Sequence, residues 1–546
     1  MRTTEAADAL APARGRVAIR AALFPLGVGA VSVAVAAFLW HQLHAWPPHE
    51  DETLALFVGR NSLAGLFDSV LNDRGGAPLH FVVAWVVAHL GFGLGALRAA
   101  SACFAVASLT VVALLVRRLT DRATAVIATA IVGASWVLLF HGVYARMYSL
   151  FLFTSALSYL ALLRALDRGG RRAWALWGLA FLATVATHPY GAIVLATQGL
   201  FVLVARRRVR EALVAIAVVT VAATPFWLTD LVLAKRFDVG VGGGGAKLGG
   251  PLSVLAYLRD VAGDFTAGYR PVLALVLLAA GLGLVLLRRG HRESALLVAS
   301  VIGVPSAAFM LGRFGTATSP ESRHLIFALP FFALLVALPL RHLARRHLVL
   351  AAVLLAALLS SQVAWARHKT PPLFDWEPDA RIAARHDASA YLAETSRPDD
   401  ILFGYEPVYL GGWELARDTF PQTVLPRADA DLALRTLLPL DRPLGRGVWI
   451  LDASEPNNLK PALEIEWRSP LPATAFDARR FGPFLVIRTR ESTVTPKRYL
   501  ERAGRVMLVG KALWIGDADI NLLTVERAAR ALRGYGAPRS LSSNSR

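Results

Sequence analysis

The residues best suited to chemistry are His49-Glu50-Asp51-Glu52, three carboxylates in a row a few residues after a long uncharged run that ends at Trp40. Carboxylates at the edge of an apolar phase are costly unless they are solvated or used. A positioned carboxylate can take the proton of an acceptor hydroxyl, which is general-base catalysis; the alternative is a solvated acidic loop. Asp51 and Glu52 are followed by Thr53–Val70, with apolar Leu54, Leu56, Phe57, Leu63, Leu66 and Phe67. That pattern predicts an amphipathic helix that lies on a membrane and holds the acids over its surface. A second kind of chemistry, anion binding, calls for arginine, whose planar fork matches phosphate. Arg98, Arg146 and Arg323 each stand at the edge of an apolar run; interfacial snorkelling is the competing reading of all three. Tyr144 and Tyr148 flank Arg146, His188 and Tyr190 flank Pro189, and Glu321 and His324 flank Arg323. Side chains of these types can hydrogen-bond to or stack on a bound ligand. A Pro-containing turn explains His188 and Tyr190 as well, and Glu321 with Arg323 reads equally as a surface pair. Trp46 could stack on a ligand ring or anchor the interface, and His141 could ligate a metal or be a satisfied interfacial histidine.

The elements that must position these residues are membrane helices. Eleven apolar runs can be read from the chain: Ala21–Trp40, Ala99–Val116, Ala123–Phe140, Ser149–Leu163, Ala173–Thr187, Gly191–Ala205, Ala212–Leu228, Pro271–Leu287, Ala295–Leu311, Leu325–Leu340 and Leu348–Ala364. About 20 apolar residues are long enough to cross a bilayer. The first run follows Arg14, Arg16 and Arg20 and lacks a small-x-small cleavage site after it, so it reads as an uncleaved anchor. A further stretch, Pro78–Leu94, is short and broken by His80, His89 and two glycines. The positive-inside rule decides its status. If it does not cross, and the N-terminus is cytoplasmic, the Arg clusters at 117–118, 164–172, 206–210, 288–292 and 341–346 all face the cytoplasm. Pro78–Leu94 is therefore expected to be re-entrant or surface-lying, and the chain after Ala364 extracytoplasmic. The segments left on the outer face include 41–98, 228–270 and 312–324.

From about 367 onward the pattern changes. Ile401–Tyr405, Val448–Asp452 and Phe484–Arg488 read as strands, and Pro378–Thr395, Pro496–Lys511 and Leu522–Leu532 as helices. The expected fold class is an all-α polytopic membrane protein of about 11 transmembrane helices with a C-terminal extracytoplasmic α/β domain. The expected layout is a cytoplasmic segment 1–20, a membrane domain 21–366, an α/β domain 367–535 and a disordered tail 536–546. The glycine-rich stretch 239–250 lacks the Lys-Ser/Thr ending of a phosphate-cradling loop and reads as a linker.

Composition agrees. Of 546 residues, 55% are hydrophobic and only 18% charged, against about a quarter charged in soluble proteins. That excludes disordered, fibrous and nucleic-acid-packaging proteins. The net charge of +19 is not a nucleic-acid signal, because the arginines sit in short clusters between apolar runs. The single cysteine, Cys103, excludes an intrachain disulfide and reads as a small buried hydrophobe.

Several motifs, in order, resemble those of one class. They are Asp51-Glu52 after the first span, Gly76-Ala77-Pro78-Leu79-His80, Arg98 opening a span that ends in Arg117-Arg118, Tyr144-Ala145-Arg146-Met147-Tyr148-Ser149-Leu150, Thr187-His188-Pro189-Tyr190-Gly191, and Ser322-Arg323-His324-Leu325 with Pro330. Over roughly residues 20–365 the chain resembles the GT-C glycosyltransferases that use polyprenyl-phosphate sugars, such as the protein O-mannosyltransferases and lipid A aminoarabinose transferases. The resemblance implies a membrane glycosyltransferase of the cell envelope, transferring a hexose or pentose. It implies a polyprenyl-phosphate-linked sugar donor and a protein, glycan or lipid acceptor on the outer face of the plasma membrane. It also implies Asp51 as the base with Glu52 beside it, and Arg98, Tyr144, Arg146, Tyr148, His188, Tyr190, Glu321, Arg323 and His324 as substrate-binding residues. Many relatives carry a second acidic residue in the outer loop after the third span; here 141–146 has none, so a shared divalent metal stays open but is not supported by the sequence, with His141 as the alternative ligand, and no cofactor is assigned. The partners expected are the donor, the acceptor and membrane lipids, with no nucleic acid.

Two other classes compete. A secondary transporter places ionisable residues near the bilayer midplane, but the eleven runs carry none in their centres. A non-catalytic envelope assembly protein has no need of the acidic cluster.

Overall fold

The computed structural model describes residues 5–76, 78–237, 248, 251–311, 320–425, 430–438, 444–453, 471–491, 495–512 and 518–535. The glycine-rich linker, apart from 248, and the tail 536–546 lie outside the described residues. Two compact units emerge. The first comprises Met1–Trp46, Val58–Ala234 and Gly244–Phe374; the second comprises Pro47–Phe57, Lys235–Gly243 and Asp375–Arg546.

All eleven apolar runs lie in helices of the first unit. Among the described residues, seven helices are long and apolar enough to cross a membrane: Ala22–Gln42, Leu94–Leu119, Tyr148–Arg168, Arg270–Gly290, Arg292–Leu311, Ser322–Ala344 and Leu348–Lys369. Two further runs are helix pairs bent by 57°, Arg122–Ala134 with Trp136–Val143 and Val209–Ala222 with Thr224–Leu233, which raises the count to nine if each is one span. The remaining two are the Arg171–Thr187 helix of 17 residues and the Gly191–Ala205 helix of 15. The structure thus supports seven to nine spans by length and composition; the expected eleven is not confirmed.

The first bend has a local cause. Ser135 leaves helical geometry at ψ 139°, and its hydroxyl caps the new helix by accepting the Leu138 N–H at 3.4 Å. At the second bend, Pro225 in the first turn after Ala223 lacks an N–H to continue the ladder. Pro78–His89 forms a 12-residue helix, about 18 Å long and too short to cross about 30 Å of hydrocarbon. The expected single amphipathic helix over 53–70 is instead broken. Glu50–Gly59 and Leu63–Asp68 are separate helices, the second capped by Ser62, whose Oγ accepts the Gly65 N–H at 3.1 Å, and a π-helical turn follows over Ser69–Arg74. Leu56, Phe57 and Leu66 are buried, whereas Leu63 and Phe67 are exposed.

The helices of the first unit share one core containing Trp177, Tyr159, Phe151, Phe181, Phe201 and Phe331. Two helices approach closely at Gly283, where a Cβ would stand 1.9 Å from the Leu335 carbonyl oxygen. Cys103, expected to be buried, is exposed on the outside of the Leu94–Leu119 helix. In a membrane helix that outer face meets acyl chains, which suits an apolar thiol as well as a core does.

The C-terminal part of the second unit is α/β. Its five strands are β1 (Ile401–Gly404), β2 (Thr423–Val424), β3 (Gly447–Asp452), β4 (Phe476–Phe481) and β5 (Phe484–Thr489), in the order β2-β1-β3-β5-β4. β2, β1 and β3 are parallel, and β5 and β4 add an antiparallel edge. The three expected strands are β1, β3 and β5. The expected helices are Asp379–Thr395, Pro496–Ala512 and Ala518–Tyr535, and Glu406–Leu415 and Ala430–Leu437 were not anticipated. Trp449, Phe403, Ile487 and Tyr499 centre its core.

Candidate functional site

The arginine-bearing ends of the membrane helices are tied together. Asp167 accepts from Arg118 Nε at 3.0 Å and from Arg207 Nη2 at 2.9 Å, and Arg207 also reaches Glu293 at 2.9 Å. Ser294 Oγ donates to the Leu119 carbonyl at 2.8 Å, and Arg341 pairs with Asp121 at 3.6 Å. The clusters that the positive-inside argument groups together are thus one physical end of the first unit. The 21-residue Tyr148–Arg168 helix, about 30 Å long, carries Asp167 at this end and Tyr148 at the other.

At that other end, residues far apart in sequence converge on the Tyr148 ring, which is 2% exposed. The Arg146 and Arg323 guanidiniums lie over it, 5.8 and 5.2 Å from its centroid. The rings of His141, His188 and His324 stand 4.6, 5.6 and 6.0 Å from it. Tyr190 lies 5.3 Å from His188 and 5.2 Å from His324, and Tyr144 lies 5.9 Å from His141. The structure therefore brings together Tyr144, Arg146, Tyr148, His188, Tyr190, Arg323 and His324, with Glu321 pairing to Arg323 at 2.6 Å.

Each piece has a local reason. The Tyr148–Arg168 helix starts directly after the short link from the Trp136–Val143 helix, and Ser149 Oγ closes that link by donating to the His141 carbonyl at 2.6 Å. His188 ends one helix in extended geometry, and its Nδ1 accepts the Tyr190 N–H at 3.1 Å. Nε2 is then the nitrogen that carries the proton. Burial and the charges of Arg146 and Arg323 push the His188 imidazole down to about 3, so the ring is neutral near pH 7. Ser322–Ala328 is a 3₁₀ helix closed by a reciprocal cap, in which His324 Nδ1 accepts the Glu321 N–H at 2.9 Å. Tyr257 Oη donates to the Glu321 carbonyl at 3.0 Å.

Sequence reasoning missed the group that anchors this segment. Asp264, 3% exposed, accepts from Ser322 Oγ at 2.5 Å, Lys369 Nζ at 2.5 Å and Trp365 Nε1 at 3.3 Å. Lys369 Nζ also lies 3.9 Å over the Trp136 ring, and Trp136 Nε1 donates to Thr370 Oγ1 at 2.7 Å. The charges of Arg323, Arg146 and Lys369 all act on His141, which is fully buried and has no hydrogen-bond partner for either ring nitrogen among the described residues. The result is a cluster of arginines and aromatic rings at this end of the first unit.

Arg98, 3% exposed, is committed to the backbone: its Nη1 donates to the Leu43 carbonyl at 2.9 Å and the Trp46 carbonyl at 2.6 Å. It clasps the chain just before the acidic segment. Trp46 packs edge-on against Phe140 at 5.2 Å.

Asp51 and Glu52 belong to the second unit, in the Glu50–Gly59 helix. Their environments differ. Glu52 is fully buried and caps the helix, its Oε2 accepting the His49 N–H at 3.0 Å. The Asp51 side chain is 37% exposed. His49 Nδ1 accepts the Asp51 N–H at 3.2 Å, fixing the ring beside it. Of the two carboxylates, Asp51 is the more exposed. A metal shared between acidic loops would need a carboxylate in 141–146, which has none, and among the described residues no three His, Cys, Asp or Glu side chains group as ligands.

No family model matches the chain, and no curated protein sequence does. Among solved structures it is similar to ArnT from Cupriavidus metallidurans in the apo state, with a TM-score of 0.54 at 15% identity over 85% of this chain and 98% of that one. ArnT from the same organism bound to undecaprenyl phosphate gives a TM-score of 0.53 at 15% identity, over 84% and 97%. The chain shares the fold of these two structures.

Proposed function

We propose that the protein is an integral membrane glycosyltransferase that moves a sugar from a polyprenyl-phosphate donor to an acceptor hydroxyl at the face opposite its arginine-rich end. The observation that carries this reading is the convergence of Arg146 and Arg323 on Tyr148, within a fold whose solved counterpart binds undecaprenyl phosphate. In this reaction the acceptor oxygen bonds to the anomeric carbon as the bond from that carbon to the phosphate oxygen breaks. The electron pair leaves with the polyprenyl phosphate, and the hydroxyl proton passes to the Asp51 carboxylate. Arg146 and Arg323 meet the charge that grows on the leaving phosphate, where charge-assisted hydrogen bonds have most effect. Neutral His188, with its proton on Nε2, offers a donor to phosphate or sugar. Tyr144, Tyr190 and His324 belong to the same cluster, and Glu321 holds Arg323. Arg98 serves by holding the chain that leads to Asp51.

The sugar is a hexose or pentose, and the acceptor a protein, glycan or lipid of the cell envelope. The positive-inside rule puts the arginine-rich end in the cytoplasm and the transfer outside. A transporter calls for ionisable groups near the midplane; the charged groups described above gather instead at helix ends. The test is incubation of the purified protein with radiolabelled polyprenyl-phosphate sugars and membrane extract. Label appearing in an acceptor supports the reading, and no transfer from any donor refutes it.

A further inference from the structure

The acidic segment packs with the C-terminal domain. Pro47–Phe57 groups with Asp375–Arg546 and not with the membrane helices that flank it in sequence. Two contacts bracket Asp51 and Glu52. On one side, Tyr405 Oη donates to the Pro48 carbonyl at 3.4 Å. On the other, the Phe57 and Tyr409 rings meet edge-on at 6.5 Å, with Phe57 6% exposed and Tyr409 fully buried.

Both tyrosines stand on a rigid support. β1 ends at Gly404, whose φ of +117° and close approach to the Ile450 carbonyl admit no Cβ. The turn carries Tyr405 out of the sheet, with its N–H donating to Ile450 O at 2.9 Å. The Tyr405 ring stacks on Phe484 at 5.4 Å and 19°. Its hydroxyl accepts from Arg381 at 3.4 Å, and Arg381 is itself fixed by Glu377 and by Asp452 at 2.6 Å. Arg385 completes the buried network through Glu377 at 2.7 Å. Burial and the Asp452 carboxylate push the Tyr405 phenol up to about 12, so it keeps its proton to donate.

We infer that the C-terminal α/β domain is part of the transfer apparatus: it holds the helix that carries Asp51, with Tyr405 and Tyr409 as positioning residues. The inference rests on the reading of Asp51 as the base. The relay from Arg381 through Tyr405 to Pro48 fixes the entry to the helix, and the Phe57–Tyr409 pair fixes its far end. Such support lets a carboxylate at a loop–helix junction keep the geometry that proton transfer demands.

The experiment uses the full-length protein in detergent and reads three quantities: hydrogen exchange over 48–57, transfer turnover, and binding of undecaprenyl phosphate as the donor-site probe. Tyr405→Phe removes the hydroxyl and keeps the ring. Tyr409→Leu removes the ring pair, and Tyr409→Phe restores it. Loss of one hydrogen bond or one aromatic pair is expected to lower exchange protection over 48–57 about two- to tenfold. Turnover should fall on the order of tenfold, while undecaprenyl phosphate affinity and exchange in β3 stay at the parent's level, and Tyr409→Phe should recover most of the loss. Unchanged exchange over 48–57 in both Tyr405→Phe and Tyr409→Leu overturns the inference, as does loosening with full turnover. If the parent transfers no sugar, the catalytic reading has failed, and the exchange data alone decide whether the domain holds the segment.

Discussion

Replacing Asp264 by Asn tests how the proposed donor site is held. The carboxylate is buried, and four contacts converge on it: Ser322 Oγ at 2.5 Å, Trp365 Nε1 at 3.3 Å, and Lys369 Nζ at 2.5 Å from each oxygen. Asparagine keeps one acceptor oxygen and the shape but removes the charge. Hydrogen bonds to a charged group contribute about 1.5–3 kcal/mol each, and breaking a fully buried ion pair costs about 3–5 kcal/mol. The Lys369 side chain is 35% exposed, so its ammonium can recover water and the lower end applies. The expected destabilisation is about 2–3 kcal/mol. Lys369→Met should cost more, since it leaves the buried carboxylate uncompensated, and the double variant should recover part of the loss. Ser322 opens the 3₁₀ helix that carries Arg323 and His324. Its release should raise the donor KM on the order of tenfold, equivalent to about 1.4 kcal/mol. The assay is thermal unfolding of the three detergent-purified variants beside donor KM at saturating acceptor. Additive single-variant effects, or a parent-like donor KM in Asp264→Asn, would refute the coupling.

Four other outcomes are expected. Arg146→Ala and Arg323→Ala should each raise donor KM by about 10- to 100-fold, the equivalent of one lost charge-assisted bond, with unfolding profiles that match the parent; unchanged donor kinetics in both would remove them from the site. Gly283→Val should lower the Tm of the first unit, because a Cβ would overlap the Leu335 carbonyl; a parent-like Tm would contradict that close approach. A reporter fused after Leu340 should be cytoplasmic and one at the C-terminus extracytoplasmic, whereas both on one side would reverse the assigned outer face. Glu52→Gln should reduce turnover less than Asp51→Asn, since Glu52 caps the helix and Asp51 is the exposed carboxylate; a larger loss in Glu52→Gln would exchange their roles.

The membrane helices are legible because hydrocarbon demands long apolar runs and positions arginine at one side. The ion pairs of Asp167 with Arg118 and Arg207 show the same sidedness in three dimensions. The bends are less legible, since Ser135 interrupts no hydropathy pattern and acts only through its cap. Charged and aromatic groups at span ends are common, so Arg146, Tyr148, His188 and Arg323 could be singled out only through the ordered motifs they belong to. That they meet on one ring is a tertiary fact. Asp264 and Lys369 escaped notice because 105 residues separate them and each looks like an ordinary span flank. The Val254–Phe265 stretch also carries Arg259 and Asp260, so nothing in its pattern singles out Asp264. In the α/β domain, β2 is two residues long and Glu406–Leu415 contains a Gly-Gly pair, so neither carries a usable pattern. The packing of Pro47–Phe57 with residues more than 300 positions away depends on single contacts, Tyr405 with Pro48 and Phe57 with Tyr409, that no periodicity encodes.

The central claim is that Asp51 takes the acceptor's proton in a polyprenyl-phosphate-dependent transfer. Its most direct test is the turnover of Asp51→Asn with a radiolabelled polyprenyl-phosphate sugar, on protein whose unfolding profile matches the parent. Asparagine keeps the size and removes the base, and general-base contributions are about 10²–10⁴-fold. Turnover should therefore fall by at least about two orders of magnitude while undecaprenyl phosphate still binds. Parent-like turnover in Asp51→Asn would contradict the account.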